Sequence, residues 1–374
     1  MRRVTCSRSG VRKLEVAIVA PSFQIPGGYS VQAAQLLHAW DADPEVHAWL
    51  VPTNPALPRL LQRGSRLKAV SAALGGVTYA ASLLRSLARA DVVHAFWPTD
   101  SSFLAAALPV MAVARAHHRP VVLNVRSGEA AAHLARSRFA RRWIARARTV
   151  VPSKFTADLV RRVGLDATVT PDVIDVNRFA FRERFPLSPR LLSTCALTTF
   201  EDVACTLTAF KAVQREFPEA RLTLFEAGVA GRALRELIDE LDLRHVACLD
   251  GVAPEDVPHI YAGHDIYIRS SQADTTPFLE AFASGLPAIS IGPDVDRRML
   301  RPCRPGLLAC ANDPSSLAEA LFYLLNDPHA ARAMARSAHE SMQQHTWSSL
   351  RDRWLEVYRS VLCQPQLAGA KASR

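Results

Sequence analysis

Short runs of apolar residues recur along the chain, separated by stretches whose apolar residues fall on one helical face. Such runs, rich in Val, Ile and Leu, are typical of strands that are buried on both faces of a parallel sheet. They occur at 14–20, 46–51, 91–96, 121–125, 149–153, 190–194, 221–225, 246–249, 266–268 and 288–291. The alternation of strands and helices predicts an α/β protein with a parallel sheet in each half of the chain.

The segment 265–290, DIYIRSSQADTTPFLEAFASGLPAIS, is a complete strand–loop–helix–strand unit. Thr275 and Pro277 predict the start of its helix, with a hydroxyl cap and a proline in the first turn, and Gly285 predicts its end. Ligands of open parallel sheets bind at such loops, beyond the carboxyl ends of the strands. Glu280, about one turn into the helix, is therefore a candidate binding residue. Alternatively, its carboxylate only interacts with the helix dipole, a stabilisation of about 0.3–1 kcal/mol.

Glycines follow the first predicted strand. The loop 21–28 ends in Gly27 and Gly28, and Ser30 is predicted to cap the next helix. A Gly-Gly turn between a strand and a helix lets a ligand approach backbone amides and the positive end of the helix. The alternative is a plain tight turn. Of the twelve histidines, only His94, which follows the strand residues 91–93, is a candidate, and we interpret it as a hydrogen-bonded pocket wall rather than a base.

The composition narrows the class of protein. A chain of 374 residues with 49% hydrophobic content is long enough for two domains of ordinary size. No apolar run approaches the ~18 residues that span a bilayer. Seven scattered cysteines without a Cys-x-x-Cys pair indicate a reducing cytoplasm, without a disulfide framework or a zinc site. The basic N-terminal segment 1–13 has no apolar core, so we expect a disordered lead-in rather than a signal peptide.

The net charge of +10 is typical of proteins that meet anionic partners. The richest basic run, 133–148 (HLARSRFARRWIARAR), is predicted to form one helix. One interpretation is a solvated surface helix packed by its apolar residues. The other is a peripheral contact with an anionic membrane. We do not expect a nucleic-acid partner, because no recognisable nucleic-acid-binding motif accompanies the positive charge.

The Leu-Glu-Ala-x-Ala-x-Gly-x-Pro pattern after a strand and an acidic loop resembles the donor-binding signature of GT-B glycosyltransferases, specifically the retaining family 4. The resemblance extends over 14–362. It implies two Rossmann-like, doubly wound domains that face each other across a cleft, closed by a C-terminal crossover helix. The expected parts are the lead-in 1–13, an acceptor domain 14–185, a donor domain 186–345, and a crossover helix with tail 346–374.

The same resemblance implies a cytoplasmic enzyme at or near the inner membrane face. It would move a sugar from a nucleotide sugar to a polysaccharide or glycolipid acceptor, with retention and without a metal ion or other cofactor. Glu280 would bind the ribose hydroxyls and Gln272 or Asp274 the sugar. Gly27 and Gly28 would lie beside the phosphates. Arg126, after the strand 121–125, would face the sugar or the acceptor, unless it is a surface-loop arginine.

The chain departs from the family where the leaving diphosphate would be held. Family members use an Arg and a Lys early in the second domain. Here Cys195 stands at the position of the arginine, and no basic residue lies between Arg190 and Lys211. Arg297 and Arg298, with Arg301 nearby, are hypothetical replacements. The departure supports an alternative function, a catalytically impaired scaffold or activator of a biosynthetic complex. In the inter-domain passage, Asp172 takes the place of the family's asparagine.

Overall fold

A computed structural model describes residues 12–22, 28–55, 68–97, 103–126, 128–194, 200–225, 231–269, 275–291, 306–310 and 312–363. The chain divides into two compact units. The first unit is Met1–Thr170 with Arg351–Arg374, and the second is Pro171–Leu350. Each is built around one parallel sheet.

The first unit contains a six-stranded parallel sheet in the order β2-β1-β3-β4-β5-β6. Its strands are β1 (Leu14–Ala20), β2 (Val46–Pro52), β3 (Val92–Trp97), β4 (Val121–Val125), β5 (Arg148–Val151) and β6 (Thr168–Val169). Its helices include α1 (Gly28–Trp40), α2 (Lys68–Leu87), α3 (Leu108–Ala116, preceded by a π-helix at Phe103–Ala107), α4 (Gly128–Arg136), α5 (Arg138–Ile144) and α6 (Lys154–Arg162). Every residue of β3 and β4 is buried, which explains their continuous apolar sequences.

The second unit contains another six-stranded parallel sheet, in the order β12-β11-β10-β7-β8-β9. Its strands are β7 (Arg190–Thr194), β8 (Arg221–Phe225), β9 (Val246–Leu249), β10 (Ile266–Arg269), β11 (Ala288–Ile291) and β12 (Gly306–Ala309). Its helices include α7 (Phe200–Glu216), α8 (Gly231–Glu240), α9 (Val257–Gly263), α10 (Thr276–Ala283), α11 (Pro314–Asn326) and α12 (Pro328–Ser341), with 3₁₀ turns at Val176–Arg178 and Met342–His345. The chain ends its described part in α13 (Trp347–Cys363).

The strand orders place a topological switch point in each sheet. The order reverses between β1 and β3 in the first sheet and between β7 and β10 in the second. Open α/β sheets bind ligands beyond the carboxyl ends of the strands that flank such a point. In the second sheet these ends are adjacent, because Arg269 of β10 is in register with Thr194 of β7.

The two predicted sheets and the C-terminal crossover are confirmed, and α13 belongs with the first unit from Arg351 onward. Its Trp354 and Tyr358 pack on His94 of β3, with ring centroids 4.9 and 5.9 Å away. Near its start, Arg351 donates hydrogen bonds to the buried Asp43 carboxylate, the shorter at 2.6 Å. Aromatic packing and this ion pair therefore anchor the last helix on the first sheet.

The expected domain boundary between 185 and 186 differs from this division, because residues 171–185 pack with the second unit. The cause is a set of hydrogen bonds from two arginines of this segment. Arg182 donates to the Asp265 carboxylate at 2.6 Å, and Arg184 donates to the carbonyl oxygens of His264 and Ser284, each at 2.6 Å.

Three local predictions are wrong. The run 133–148 does not form one helix, because Ser137 interrupts it and accepts a hydrogen bond from the amide of Ala140, capping α5. Ser30 does not cap α1, which begins two residues earlier and includes it. Thr275 precedes α10 as expected but makes no side-chain cap.

Gly285 ends α10 as predicted. Its φ of +76° lies in the left-handed region that favours glycine. A Cβ there would lie 2.6 Å from the ring of Phe181. Both the backbone conformation and the close packing therefore require glycine. Among the described helices, none combines the length and the apolarity that crossing a bilayer requires.

Candidate functional site

The carboxyl edge of the second sheet carries the predicted donor-binding carboxylate. Glu280 is the fifth residue of α10 and is 8% exposed. It lies between Leu279 and Ala281, which are both buried and pack in the core of this unit. A carboxylate in such surroundings needs polar contacts to offset its desolvation. This burial distinguishes Glu280 from a carboxylate on a helix surface.

The start of α10 is fixed by a contact that the sequence did not reveal. Thr275 Oγ1 donates a hydrogen bond to Asp172 Oδ2 at 2.6 Å. The backbone oxygen of Asp172 in turn accepts from His345 Nδ1 at 2.9 Å. Burial lowers the pKa of His345, and the hydrogen bond and charge of Asp172 partly oppose this effect. Asp172 thus holds the start of the helix that carries Glu280.

Arg269 is a functional candidate that the sequence reading missed. It is the last residue of β10, at the switch point of the second sheet, and is 3% exposed. Its guanidinium lies over the ring of Phe278 in α10, 5.5 Å from the ring centroid. A buried cation thus stands next to the end of β7. The signal was present in the sequence, as a single arginine that ends an apolar run just before the ligand loop.

The first sheet brings two other predicted residues together. Arg126 directly follows β4 and is 8% exposed, so it is not a surface-loop arginine. Its guanidinium lies 5.9 Å from the centroid of the Tyr29 ring in α1. Gly28, the first residue of α1, is buried and directly precedes Tyr29 in the sequence. Gly28 and Arg126 therefore share the carboxyl edge of the first sheet.

Several predicted site residues lie outside the described ranges: Gly27, Gln272, Asp274, Arg297 and Arg298. Their roles stay predictions. Within the described ranges, no group of three His, Cys, Asp or Glu side chains could hold a metal ion.

His94 is a hydrogen-bonded residue of the protein core, where the sequence led us to expect a hydrogen-bonded pocket wall. It is fully buried in β3, and its Nδ1 lies 2.9 Å from the Tyr358 hydroxyl. Its ring stacks on Phe96 with centroids 4.9 Å apart. Burial lowers its pKa to about 3, so the imidazole is neutral at physiological pH. Its role is to pack against the neighbouring aromatic rings.

A separate group of charges lies at the amino edge of the second sheet. Asp265, which immediately precedes β10, accepts from Arg182 at 2.6 Å and from Arg190 at 2.7 Å. Arg184 lies 3.6 Å from the same carboxylate. Burial lowers the pKa of Arg184 to about 9, and the neighbouring Arg182 adds to this effect while Asp265 opposes it. The guanidinium therefore remains charged at neutral pH. Four carbonyl oxygens accept its hydrogen bonds, so this group is structural.

Part of the C-terminal half of the chain matches a known family model. Residues 188–327 match the family model described as glycosyl transferases group 1. The matched region contains β7, Arg269, Glu280 and the whole of α10.

Curated relatives carry related descriptions. The phosphatidyl-myo-inositol mannosyltransferase of Mycobacterium leprae is 24% identical over 381 residues, covering 93% of this chain and 97% of that protein. An exopolysaccharide phosphotransferase of Streptomyces coelicolor is 28% identical over 205 residues, covering 52% of this chain. The chain spans only about a fifth (21%) of the length of that relative.

Solved structures share the fold. HepE from Anabaena, in complex with UDP-glucose, superimposes with a TM-score of 0.70 at 17% identity, covering 93% of this chain and 100% of HepE. At this identity the likeness shows the fold alone. The fold, taken with the match of residues 188–327 to glycosyl transferases group 1, supports a GT-B glycosyltransferase.

Proposed function

We propose that the chain is a retaining family 4 glycosyltransferase that moves a hexosyl group from a nucleoside diphosphate sugar to a glycan or lipid-linked acceptor. One observation carries the proposal. A buried cation, Arg269, and a buried carboxylate, Glu280, belong to the same βα unit at the switch point of the second sheet. Both lie within the region that matches the family model. UDP-sugars are the first donors to test, since HepE is solved with UDP-glucose.

In the proposed reaction, the bond between the sugar C1 and the diphosphate oxygen breaks, and its electron pair leaves with the diphosphate. The acceptor oxygen bonds to C1 on the same face, and its proton passes to the departing diphosphate. Negative charge therefore grows on the leaving group. Fixed positive charge at that point is usually the largest single contribution to such catalysis.

Arg269 supplies that charge in our proposal. It stands next to the end of β7, beside the stretch in which the family's Arg and Lys are replaced. Stacking on Phe278 holds the guanidinium at 5.5 Å from the ring centroid and limits its motion. A preorganised arginine binds phosphate oxygens with several donors at once. The reaction then requires no metal ion.

The remaining assignments follow the resemblance. Glu280 binds the ribose hydroxyls, and Gly28, with Gly27, lies beside the donor phosphates. Arg126 contacts the sugar or the acceptor, and its burial and its contact with Tyr29 support a fixed orientation. Sugar contacts by Gln272 or Asp274, and phosphate contacts by Arg297 or Arg298, are part of the same proposal.

Contact with the inner face of the membrane is also proposed, for a protein that works in the cytoplasm. The supporting feature is α5, which exposes Arg138 and Arg142 and leaves Phe139 52% exposed. Exposed aromatic and basic side chains together are typical of helices that lie on anionic membranes. The lipid acceptor of the mannosyltransferase relative, named in its description, agrees with such a location.

A second candidate function is a catalytically impaired GT-B protein that acts as a scaffold or activator. The observation in its favour is the absence of basic residues between Arg190 and Lys211. The two functions differ in a measurable way, because only the enzyme needs Arg269 to recognise a diphosphate.

The test compares diphosphate recognition in Arg269→Gln and Arg269→Lys with the wild type. We expect Arg269→Gln to weaken UDP binding at least about tenfold, since hydrogen bonds to charged groups contribute about 1.5–3 kcal/mol each. Uridine binding should change little, and Arg269→Lys should retain part of the UDP affinity. Calorimetry measures the affinity of each of the three proteins for UDP and for uridine. Equal weakening of UDP and uridine would instead assign Arg269 a purely structural role.

A further inference from the structure

A cavity of about 460 Å³ opens on the first unit. Residues from the end of α3, the start of β4 and the start of β5 line it, together with the end of α5 and the turn after α6. The cavity is therefore at the amino edge of the sheet. Arg126 lies at the opposite end of β4, and the five residues of this strand separate the two by about 16 Å.

The lining of the cavity is strongly basic. Asp166 is the single acidic residue in this lining, and it is exposed. The lining arginines are Arg115, Arg119, Arg146 and Arg148. Four positive side chains face one negative one, an excess of three positive charges. Such a concave, positively charged surface attracts anions.

The described part of the protein does not neutralise these arginines. No ion pair with a described carboxylate involves any of them. Arg119 donates one hydrogen bond to the carbonyl oxygen of Ala88 at 2.8 Å, and Arg146 stacks over Trp143 at 5.4 Å. The Nε atoms of Arg119 and Arg148 are shielded from solvent and have no hydrogen-bond partner among the described residues. A shielded donor without an acceptor carries a free-energy cost, which a bound anion would remove.

We propose that this cavity is a second anion site, which binds a phosphate ester independently of the proposed transferase site. A phosphate offers several acceptor oxygens to guanidinium groups that approach from different directions. The inference rests on the cavity, its charge and its unsatisfied donors. It does not require that the chain transfers sugars.

The surroundings favour a phosphate that is carried by a lipid. Trp143 lines the cavity, and its ring centroid lies 6.3 Å from that of Phe139. Phe139 is 52% exposed on the adjacent α5. An aromatic pair beside a cationic cavity matches the boundary between phospholipid headgroups and acyl chains. A free phosphate ester has the same binding chemistry, so the experiment includes both sources.

The experiment compares two double variants with equal charge change. Arg119→Gln with Arg148→Gln removes the two shielded donors, and Arg85→Gln with Arg89→Gln removes two exposed arginines, in and just after α2, that do not line the cavity. One arm measures cosedimentation with phosphatidylcholine vesicles that contain phosphatidylglycerol, against phosphatidylcholine alone. The other arm titrates glycerol 3-phosphate and follows its ³¹P NMR signal.

We expect the cavity variant to lose at least about tenfold in affinity for the phosphate-bearing probe and the control variant to lose much less. Loss in the vesicle arm identifies a lipid headgroup, and loss only in the glycerol 3-phosphate arm identifies a free ester. Equal weakening by both variants would show diffuse surface attraction and overturn the site, as would a wild type that binds neither probe. If the double variant fails to fold, Arg115→Gln, an exposed lining residue, tests the same prediction with a smaller expected loss.

Discussion

Two groups of arginines lie at the amino edges of the two sheets, and they differ in what surrounds them. In the second unit, three guanidiniums converge on Asp265, whose side chain is only 2% exposed. In the first unit, four guanidiniums line a cavity whose one carboxylate is exposed. The arginines of the first group are Arg182, Arg184 and Arg190, and those of the second are Arg115, Arg119, Arg146 and Arg148.

The comparison shows that the role of an arginine cluster depends on whether its guanidinium groups have internal acceptors, and not on its charge alone. Each arginine of the Asp265 cluster donates to the Asp265 carboxylate or to backbone carbonyl oxygens, so the cluster ties residues 182–190 to the strand β10. The cavity cluster has almost no internal acceptors, so it contributes little to the fold and remains available to a ligand. A buried charge that loses its partner is costly, whereas an exposed one is nearly neutral.

The largest effect should come from breaking the first cluster. Asp265→Asn leaves three guanidiniums around a neutral, buried side chain, and we expect a loss of about 3 kcal/mol or more in the free energy of unfolding of the second unit. Asp242→Asn is the matched control, because its carboxylate is 84% exposed and its nearest basic group, Lys211 Nζ, is 3.9 Å away. Denaturant unfolding followed by circular dichroism measures both variants.

The cavity cluster should behave differently when its arginines are replaced. The double change Arg119→Gln with Arg148→Gln should alter the free energy of unfolding by less than about 1 kcal/mol, since no ion pair is lost. Comparable destabilisation by the two sets of variants would mean that the clusters do not differ as described.

The buried histidine of the first unit should have a smaller effect: it should make the free energy of unfolding depend on pH, by about 2 kcal/mol. Burial lowers the pKa of His94 to about 3 in the folded state, while the unfolded value is about 6.5. As the pH falls below 6.5 the unfolded state binds the proton first, so stability decreases. Integrating this difference in proton binding over pH predicts that the free energy of unfolding falls by about 2 kcal/mol between pH 8 and pH 5 because of this residue alone.

His94→Gln should flatten that pH dependence, although it also lowers stability at pH 8 by disturbing the contact with Tyr358. His38→Gln, at an exposed position of α1, serves as the control and should keep the wild-type slope. Chemical unfolding at a series of pH values gives the slopes. An unchanged slope in His94→Gln would refute the assignment of a neutral, buried imidazole.

Much of the fold could be predicted, because buried parallel strands have continuous apolar sequences. The predicted bounds of β1, β4, β7, β8, β9 and β11 agree with the structure. Helix boundaries were harder, since a serine can cap a helix, as Ser137 does, or lie inside one, as Ser30 does. Local sequence does not distinguish these two cases.

The candidate site was predictable only where a motif carried it. Glu280 and Arg126 came from a family pattern, and the structure gives both buried positions. Arg269 was overlooked because its position at the candidate site depends on the strand order, which brings it next to Thr194. The cavity arginines are likewise distant in sequence and converge only in the folded sheet. Strand order and three-dimensional convergence are tertiary information.

The most direct test of the central claim is calorimetric titration of UDP, GDP and ADP into the wild type, Glu280→Gln and Glu319→Gln. Glu319 is exposed on α11 and serves as the control for the loss of one carboxylate. We predict that one nucleotide binds the wild type and Glu319→Gln equally, and that Glu280→Gln binds it at least about tenfold more weakly. A folded wild type that binds no nucleotide at several millimolar, above the usual range of KM values, would contradict the enzyme and favour the scaffold.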